Sequence, residues 1–258
     1  MKNKQAAISI PFGVKVPVID ADAPWRWLNA AAMQYRREWL LCAGFGLTFV
    51  LVGYSLVYLF ARSGLVTAFP IAIGAFALVG PLLACGIYGV ARAHEDGRRP
   101  TMTELVLPKA ASPGQVALIG IAIMIALFVW IVAGMTLYVV AGGEHFTNYT
   151  AFQQFFLNTY QGLAMATAGT IVGGLIAAII FAITAFSLPM VMDQRVDAIS
   201  AVSLSAATVL RNLKPMLLWA WLIALSVVIS AATLLAGFVV FFPLFGLATW
   251  IGYRETFA

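Results

Sequence analysis

The densest run of groups that could bind a metal or move a proton is His94-Glu95-Asp96, directly after the second long apolar stretch. Adjacent residues on a helix point about 100° apart, so three consecutive side chains cannot close on one ion. The sequence supplies no second His or Cys cluster to complete a zinc-type shell. Glu144-His145 is a lone pair in a polar loop. Both runs therefore indicate solvated polar caps in preference to a metal site or an acid–base pair.

The sequence also lacks the residues that other kinds of catalytic site require. The chain has two histidines and two cysteines, whereas bis-imidazole haem or a copper centre needs several inward-facing histidines at membrane depth. No Ser-His-Asp order, Walker-type glycine loop or zinc-helix motif occurs. Cys42 and Cys85 lie inside apolar runs, which indicates buried thiols. We therefore predict no catalytic, cofactor-binding or metal-binding residues, and an enzyme is the least favoured class.

The composition is that of an integral membrane protein. Of 258 residues, 62% are hydrophobic and 10% are charged, with a mean hydropathy of +0.96, whereas soluble domains carry about 25% charged residues. The net charge of +5 suits loops on the inner face of a membrane, where Lys and Arg accumulate. No basic cluster resembles a surface that tracks a nucleic-acid backbone. The expected partner is the lipid bilayer, with no nucleic acid.

Six apolar runs approach the roughly 20 residues that cross a hydrocarbon core of about 30 Å. They cover approximately residues 39–61, 66–91, 115–141, 163–190, 215–235 and 236–253. The last boundary depends on a tight reversal at Gly237, and a single bent helix is the competing interpretation. The runs predict an all-α, polytopic membrane helix bundle of six transmembrane helices, forming one domain over residues 25–258.

Two polar flanks accompany these spans. Residues 1–24 contain three prolines, which predicts an extended cytoplasmic arm. Residues 25–38 combine an Ala-rich interior with Trp and Arg, which predicts an interfacial helix at headgroup level. The basic residues then set the orientation: with the N-terminus inside, only Arg62 of fifteen Lys and Arg residues faces outward. That pattern is expected for six spans with both termini in the cytoplasm.

A second amphipathic helix on the cytoplasmic side is predicted over residues 197–213, between the fourth and fifth spans. Its apolar side chains fall within an arc of about 100° and are Ile199, Val202, Ala206, Val209, Leu210 and Leu213. Its polar face carries the candidate contacts with a partner or with lipid headgroups, namely Asp197, Ser200, Ser203, Thr208 and Arg211.

The interiors of the six spans carry small residues and no ionisable ones. Gly169 and Gly173 have the spacing that lets membrane helices approach closely, either within the chain or between two copies. The lack of Asp, Glu, Lys, Arg or His at membrane depth disfavours a proton-coupled transporter.

Two spans carry a proline eleven residues before a closing arginine, at Arg92 and Arg254. This spacing suggests that residues 25–92 and 196–254 are related hairpins. Alternatively, the shared spacing arises by coincidence, because Pro and Arg are common near the ends of membrane helices.

Four segments together resemble a bacterial family of six-span proteins known only as a domain of unknown function: ADAPWRWLNAAAMQYRREW, VGPLLACGIYGVAR, SLPMVMDQRVDAISAVSLSAATVLRNLKPMLLWAWLIAL and FPLFGLATWIGYRE. The run SLPMVMDQRVDA is the most specific. The resemblance implies topology rather than an activity. Some members of that family carry the label of cytochrome c oxidase proteins, and the missing intramembrane histidines leave an accessory or assembly role in preference to a catalytic subunit.

The sequence thus predicts a non-catalytic, multi-pass protein of the bacterial inner membrane. We expect an accessory, scaffold or assembly factor of an inner-membrane complex, respiratory complexes included, with a protein of that complex as partner. The alternative is a transporter or channel for a lipid or small apolar solute. A continuous cavity would favour this alternative, and its expected lining is Tyr54, Tyr58, Thr136, Tyr138 and Ser187.

Overall fold

The computed structural model describes residues 16–65, 68–141 and 149–257, and these residues form helices joined by turns. The helices are α1 (Ala23–Arg37), α2 (Trp39–Arg62), α3 (Phe69–Leu83), α4 (Cys85–Glu95), α5 (Met102–Val106), α6 (Pro113–Val140), α7 (Tyr149–Asn158), α8 (Tyr160–Thr184), α9 (Ser187–Asp193), α10 (Ala198–Arg211), α11 (Leu213–Ala232) and α12 (Phe238–Phe257).

Within the described residues, five stretches are long and apolar enough to cross a membrane. They are Trp39–Arg62, Phe69–Glu95, Pro113–Val140, Tyr160–Asp193 and Leu213–Ala232. The predicted all-α, polytopic membrane bundle is confirmed, with five of the six predicted spans represented. The sixth corresponds to α12, which is of membrane length at 20 residues but does not reach the same apolarity.

The chain reverses between α11 and α12, so the single bent helix is not formed. Leu234 and Leu235 have φ values of 50° and 68°, a left-handed backbone that costs strain for a side chain of this size. The amide of Leu235 donates to the Ser230 carbonyl at 2.7 Å. The rings of Trp219 and Phe245 then lie 5.2 Å apart, so α12 packs back against α11.

The helices pack as two compact units. Unit 1 takes the described parts of Met1–Val50, Pro81–Ile119 and Phe181–Ala258, and unit 2 takes those of Leu51–Gly80 and Gly120–Ile180. Four helices, α2, α3, α6 and α8, contribute residues to both units.

Unit 1 is packed around Trp27 of α1, whose side chain is 1% exposed. Its ring lies edge-on to Trp219 of α11 at 5.5 Å and to Phe186 at 6.5 Å. On α12, Gly252 leaves room for the same ring, since a Cβ there would stand 2.9 Å from it. Burial of one large aromatic ring with edge-on neighbours is among the largest single contributions that a core can contain.

α1 runs antiparallel along α12. At one end, Arg26 Nη2 lies 2.5 Å from Glu255 Oε1. At the other, the Tyr35 hydroxyl donates to the carbonyl of Val239 at 3.2 Å. Buried residues recur at every third or fourth position of α1, as a packed helix requires. The helix expected at the membrane interface is therefore fastened to α12 along its length.

This pairing separates the arginines of α1. Arg36 and Arg37 follow Tyr35 and lie near the start of α12, about 15 Å along the helix from Arg26 at 1.5 Å per residue. Their predicted grouping with Arg26 on one face of a membrane stays a prediction.

α4 packs beside α12 at the positions that the hypothesis of related hairpins equates. The rings of Tyr88 and Trp250 are 5.8 Å apart. A Cβ on Gly246 would stand 3.8 Å from that of Ala84, at the same separation in sequence. Equivalent positions thus meet across a parallel helix pair, which is compatible with the hypothesis, while the relation of the whole hairpins stays a prediction.

Gly46 marks a close approach of α2 to α12 within unit 1. A Cβ there would stand 2.5 Å from the Val239 carbonyl oxygen and 2.6 Å from that of Phe238, and backbone atoms cannot rotate away. We expect Gly46→Ala to lower the free energy of unfolding in detergent by about 1–3 kcal/mol through overpacking. Gly44→Ala is the matched control, because the nearest atom there is 4.0 Å away. Equal thermal midpoints for the two variants would contradict the close approach.

Candidate functional site

A partly buried set of charged side chains in unit 1 surrounds Asp193, the last residue of α9. Arg254 Nη1 and the Tyr253 hydroxyl donate to its Oδ2 at 3.0 and 2.8 Å. Arg92 Nη2 lies 3.6 Å from its Oδ1. The carboxylate is 18% exposed, and a charge at this depth is tolerated only with such partners. These residues together with Glu95 are called the Asp193 cluster.

Arg92 extends the cluster to four chain segments. Its Nη1 donates to the Lys109 carbonyl at 2.9 Å, and its Nη2 donates to the Met192 carbonyl. Its guanidinium carbon lies 5.2 Å from the centre of the Trp250 ring, a cation–π contact. One side chain thereby joins α4, the segment before α6, the end of α9 and α12.

Glu95 closes the cluster on the side of α4. Its Oε2 is 3.3 Å from Arg254 Nε, and its Oε1 accepts the indole N–H of Trp250 at 3.0 Å. Arg254 therefore lies between two carboxylates, and charge-assisted hydrogen bonds of this kind are stronger than neutral ones. Two cations and two anions balance one another, so the arrangement fastens helices together.

The structure separates the residues of the cap that follows the second predicted span. Glu95 binds Arg254, whereas Asp96 binds Arg98 at 3.0 Å. No group of three or more His, Cys, Asp or Glu residues among those the structure describes could hold a metal ion. The pair at residues 144–145 lies outside the described residues.

The predicted contact residues of α10 divide between surface and interior. Asp197 caps the helix by accepting from the Ser200 amide at 2.8 Å, and this bond lowers the pKa of the Asp197 carboxyl. Both residues are exposed, while Ser203 and Arg211 are half-buried. Thr208 is 0% exposed, so its side chain is closed to a partner. Of the five, Asp197 and Ser200 lie open.

The packed face of α10 is the face of its small side chains. Its buried residues are Ala198, Ala201, Ser205, Thr208 and Val209. Ile199 and Leu210, two members of the predicted apolar arc, are instead 78% and 65% exposed. Small side chains let this helix approach its neighbours closely, and the larger apolar groups point away from unit 1.

Ser205 has a role that the sequence pattern does not mark. Its hydroxyl donates to the carbonyl of Ala182 at 2.8 Å and accepts from the amide of Phe186 at 3.1 Å. These are backbone groups on either side of the break between α8 and α9. One hydroxyl thus satisfies a donor and an acceptor at the interrupted helix.

Asn212, between α10 and α11, holds the N-terminal segment. Its side-chain oxygen accepts from the Ile19 amide at 2.8 Å, and its amide group donates to the Pro17 carbonyl at 3.0 Å. The end of the arm predicted over residues 1–24 is therefore docked. Residues 1–15 lie outside the described residues.

Unit 2 contains an apolar cavity of about 570 Å³. Small residues of α3, α6 and α8 form part of its wall, and larger aliphatic, aromatic and Met side chains form most of the rest. None of the lining residues that the structure describes is charged. The large side chains of the lining include Trp130, Met135, Phe152, Phe156 and Met165.

Trp130 of α6 bridges two walls of this cavity. Its Nε1 donates to the carbonyl of Ile71 at 2.8 Å. A Cβ would stand 2.5 Å from its ring at Gly74 of α3, and 2.7 Å from it at Gly173 of α8. Gly173 therefore packs against this chain's own indole, and Gly169 lines the cavity. Close packing between two copies of the chain stays a prediction.

The cavity lies elsewhere than the sequence suggested. Tyr138 lines it. Tyr54, Tyr58 and Thr136 are exposed instead, and Ser187 is buried in unit 1. The lining is consequently more apolar than the expected set.

Neutralising Asp193 should leave Arg92 and Arg254 without their shared anion. We expect Asp193→Asn to lower the free energy of unfolding by about 1–3 kcal/mol, less than for a fully buried pair because Arg254 is 39% exposed. Asp96→Asn is the control, since this 52% exposed partner of Arg98 belongs to the class worth at most about 1 kcal/mol. Denaturant unfolding of both variants compares the losses, and equal losses would contradict the role of the cluster.

The matched family is an uncharacterised one. Residues 68–193 match the model of DUF2189, described as a predicted integral membrane protein. The match ends on Asp193 and includes SLPMVMD, the start of the most specific run. No curated protein and no solved structure matches the chain. The family resemblance expected from the sequence is confirmed: over residues 68–193 the chain is similar to the predicted integral membrane proteins of the DUF2189 family.

Proposed function

We propose that this integral membrane protein binds an apolar molecule, a lipid acyl chain or a solute of similar chemistry, in the cavity of unit 2. The observation that carries this proposal is the cavity itself. Its volume of about 570 Å³ falls within the range of about 300–1,000 Å³ that small-molecule sites occupy. The molecule is held or passed on without chemical change.

The lining supports an apolar ligand in preference to a polar one. An ion or a strongly polar solute would lose its hydration in the cavity without gaining a compensating charge. Phe152 and Phe156 offer rigid apolar surface, and Met135 and Met165 offer adaptable surface. A flexible chain fits walls of this composition.

An accessory or assembly role in an inner-membrane complex is the second candidate. α10 favours it, because its exposed surface carries two large apolar side chains, Ile199 and Leu210, as well as the open polar residues Asp197 and Ser200. A surface of this composition suits contact with another membrane protein.

Filling the cavity should remove the ligand. Gly174 lines the cavity, and a Cβ there meets no atom within 4 Å, so we expect Gly174→Phe to occupy the space without a clash. Gly80→Phe is the matched control, because a Cβ at Gly80 also meets no atom within 4 Å and Gly80 is not among the lining residues. We expect the wild type and Gly80→Phe, crosslinked to a long-chain fatty acid bearing a diazirine, to be labelled on α6 and α8. Labelling of Gly174→Phe should fall severalfold.

Equal labelling of both variants and the wild type would remove the ligand proposal. Mass spectrometry of the same gently solubilised preparations separates the two candidates. A stoichiometric protein partner with no retained lipid would favour the accessory role.

We further propose that both termini lie in the cytoplasm of a bacterial cell, at the inner membrane. The charge distribution supports this orientation, and the ion pair of Arg26 with Glu255 brings the start of α1 and the end of α12 together. Fluorescent-protein fusions at either terminus should fluoresce, because that reporter folds inside the cell, and alkaline phosphatase fusions should be inactive. Opposite readings at the two ends would contradict the orientation.

A further inference from the structure

The connection between α4 and α6 folds back along the helix that it has just left. α5, at Met102–Val106, packs against α4. A Cβ at Gly89 would stand 2.7 Å from the carbonyl oxygen of Glu104. A Cβ at Gly86 would clash with the carbonyl oxygen of Leu105. Two glycines of α4 thus create the space in which α5 lies.

α5 also touches α2. The terminal methyl of Met102 is 4.0 Å from the position of a Cβ at Gly44, and the ring of Phe45 lies against Gly86. Both α2 and the α3–α4 stretch are among the candidate membrane spans. From Arg92, the first charged residue of α4, back to Gly86 the distance along the helix is about 9 Å. α5 therefore lies beside the part of this spanning stretch that precedes its first charged residue, Arg92.

Three large apolar side chains lie on the outward side of this short segment, beside the exposed Thr101 and Thr103. Met102, Val106 and Leu107 are 59%, 75% and 71% exposed. Exposed groups of this size are stabilised by an apolar surrounding and destabilised by water.

Several polar groups of the segment are paired within the protein. Thr101 and Glu104 form a capping box, and Arg98 binds the Glu104 carboxylate at 2.8 Å. Further on, the amide of Ala111 donates to the Met192 carbonyl at 2.9 Å. Backbone that enters a bilayer must be paired in this way.

We propose that α5 and Leu107 form a re-entrant anchor that rests in the interfacial layer of the bilayer, with lipid as its occupant. The position beside two spans, the exposed apolar side chains and the capped start of the segment all fit lipid as the occupant. The cavity of unit 2 plays no part in this inference.

The test places a thiol on the anchor. Val106→Cys, at a position exposed enough to tolerate the change, is labelled with an NBD fluorophore in the full-length protein and reconstituted into phosphatidylcholine–phosphatidylglycerol vesicles. Arg99→Cys, on the same connection, is the matched control. The wild type, whose Cys42 and Cys85 are buried, serves as the unlabelled reference and sets the thermal midpoint that both variants must keep.

We expect lipid bearing a nitroxide high on its acyl chain to quench the label at position 106 severalfold more than the label at position 99. Aqueous iodide should show the reverse order. Equal iodide quenching at both positions would overturn the proposal, since the segment would then be an aqueous loop. Shielding of position 106 from both quenchers would also overturn it, because protein would then cover the face.

Discussion

The charge of Asp193 is tenable only because two arginines and a tyrosine converge on it from other helices. Arg92 and Arg254 balance it, and the Tyr253 hydroxyl donates to the same carboxylate. A partly buried carboxylate lacking these partners would be costly. The positions of α4, α9 and α12 therefore depend on one another. The stretch matched by the uncharacterised family ends on this residue, so the match includes Arg92 and Asp193, while Tyr253 and Arg254 follow it.

In unit 1 the helices are joined by the Asp193 cluster and also pack closely against one another. Trp27 fills the space between α11 and α12, and Gly46 and Gly252 remove the side chains that would hold their neighbours apart. Such contacts tolerate little change in volume.

Unit 2 has a different character. Trp130 bridges Gly74 and Gly173, and an uncharged cavity lies beside it. The chemistry of this space favours an apolar molecule, because apolar and aromatic walls reward the burial of hydrocarbon and penalise that of an ion. We therefore propose apolar binding ahead of the accessory role, which the sequence alone favoured.

The sequence by itself determined the membrane class, five of the spans and the helix at residues 197–213, because these depend on local composition and periodicity. It also showed the shared spacing from proline to Arg92 and to Arg254, but not that both arginines pair with Asp193. Only tertiary structure decided which face of α10 is packed, that Ser205 repairs a helix break and where the cavity lies. Those features depend on contacts between residues distant in sequence. α10 contains three serines, and nothing in the sequence around Ser205 shows that it alone bonds to the break between α8 and α9.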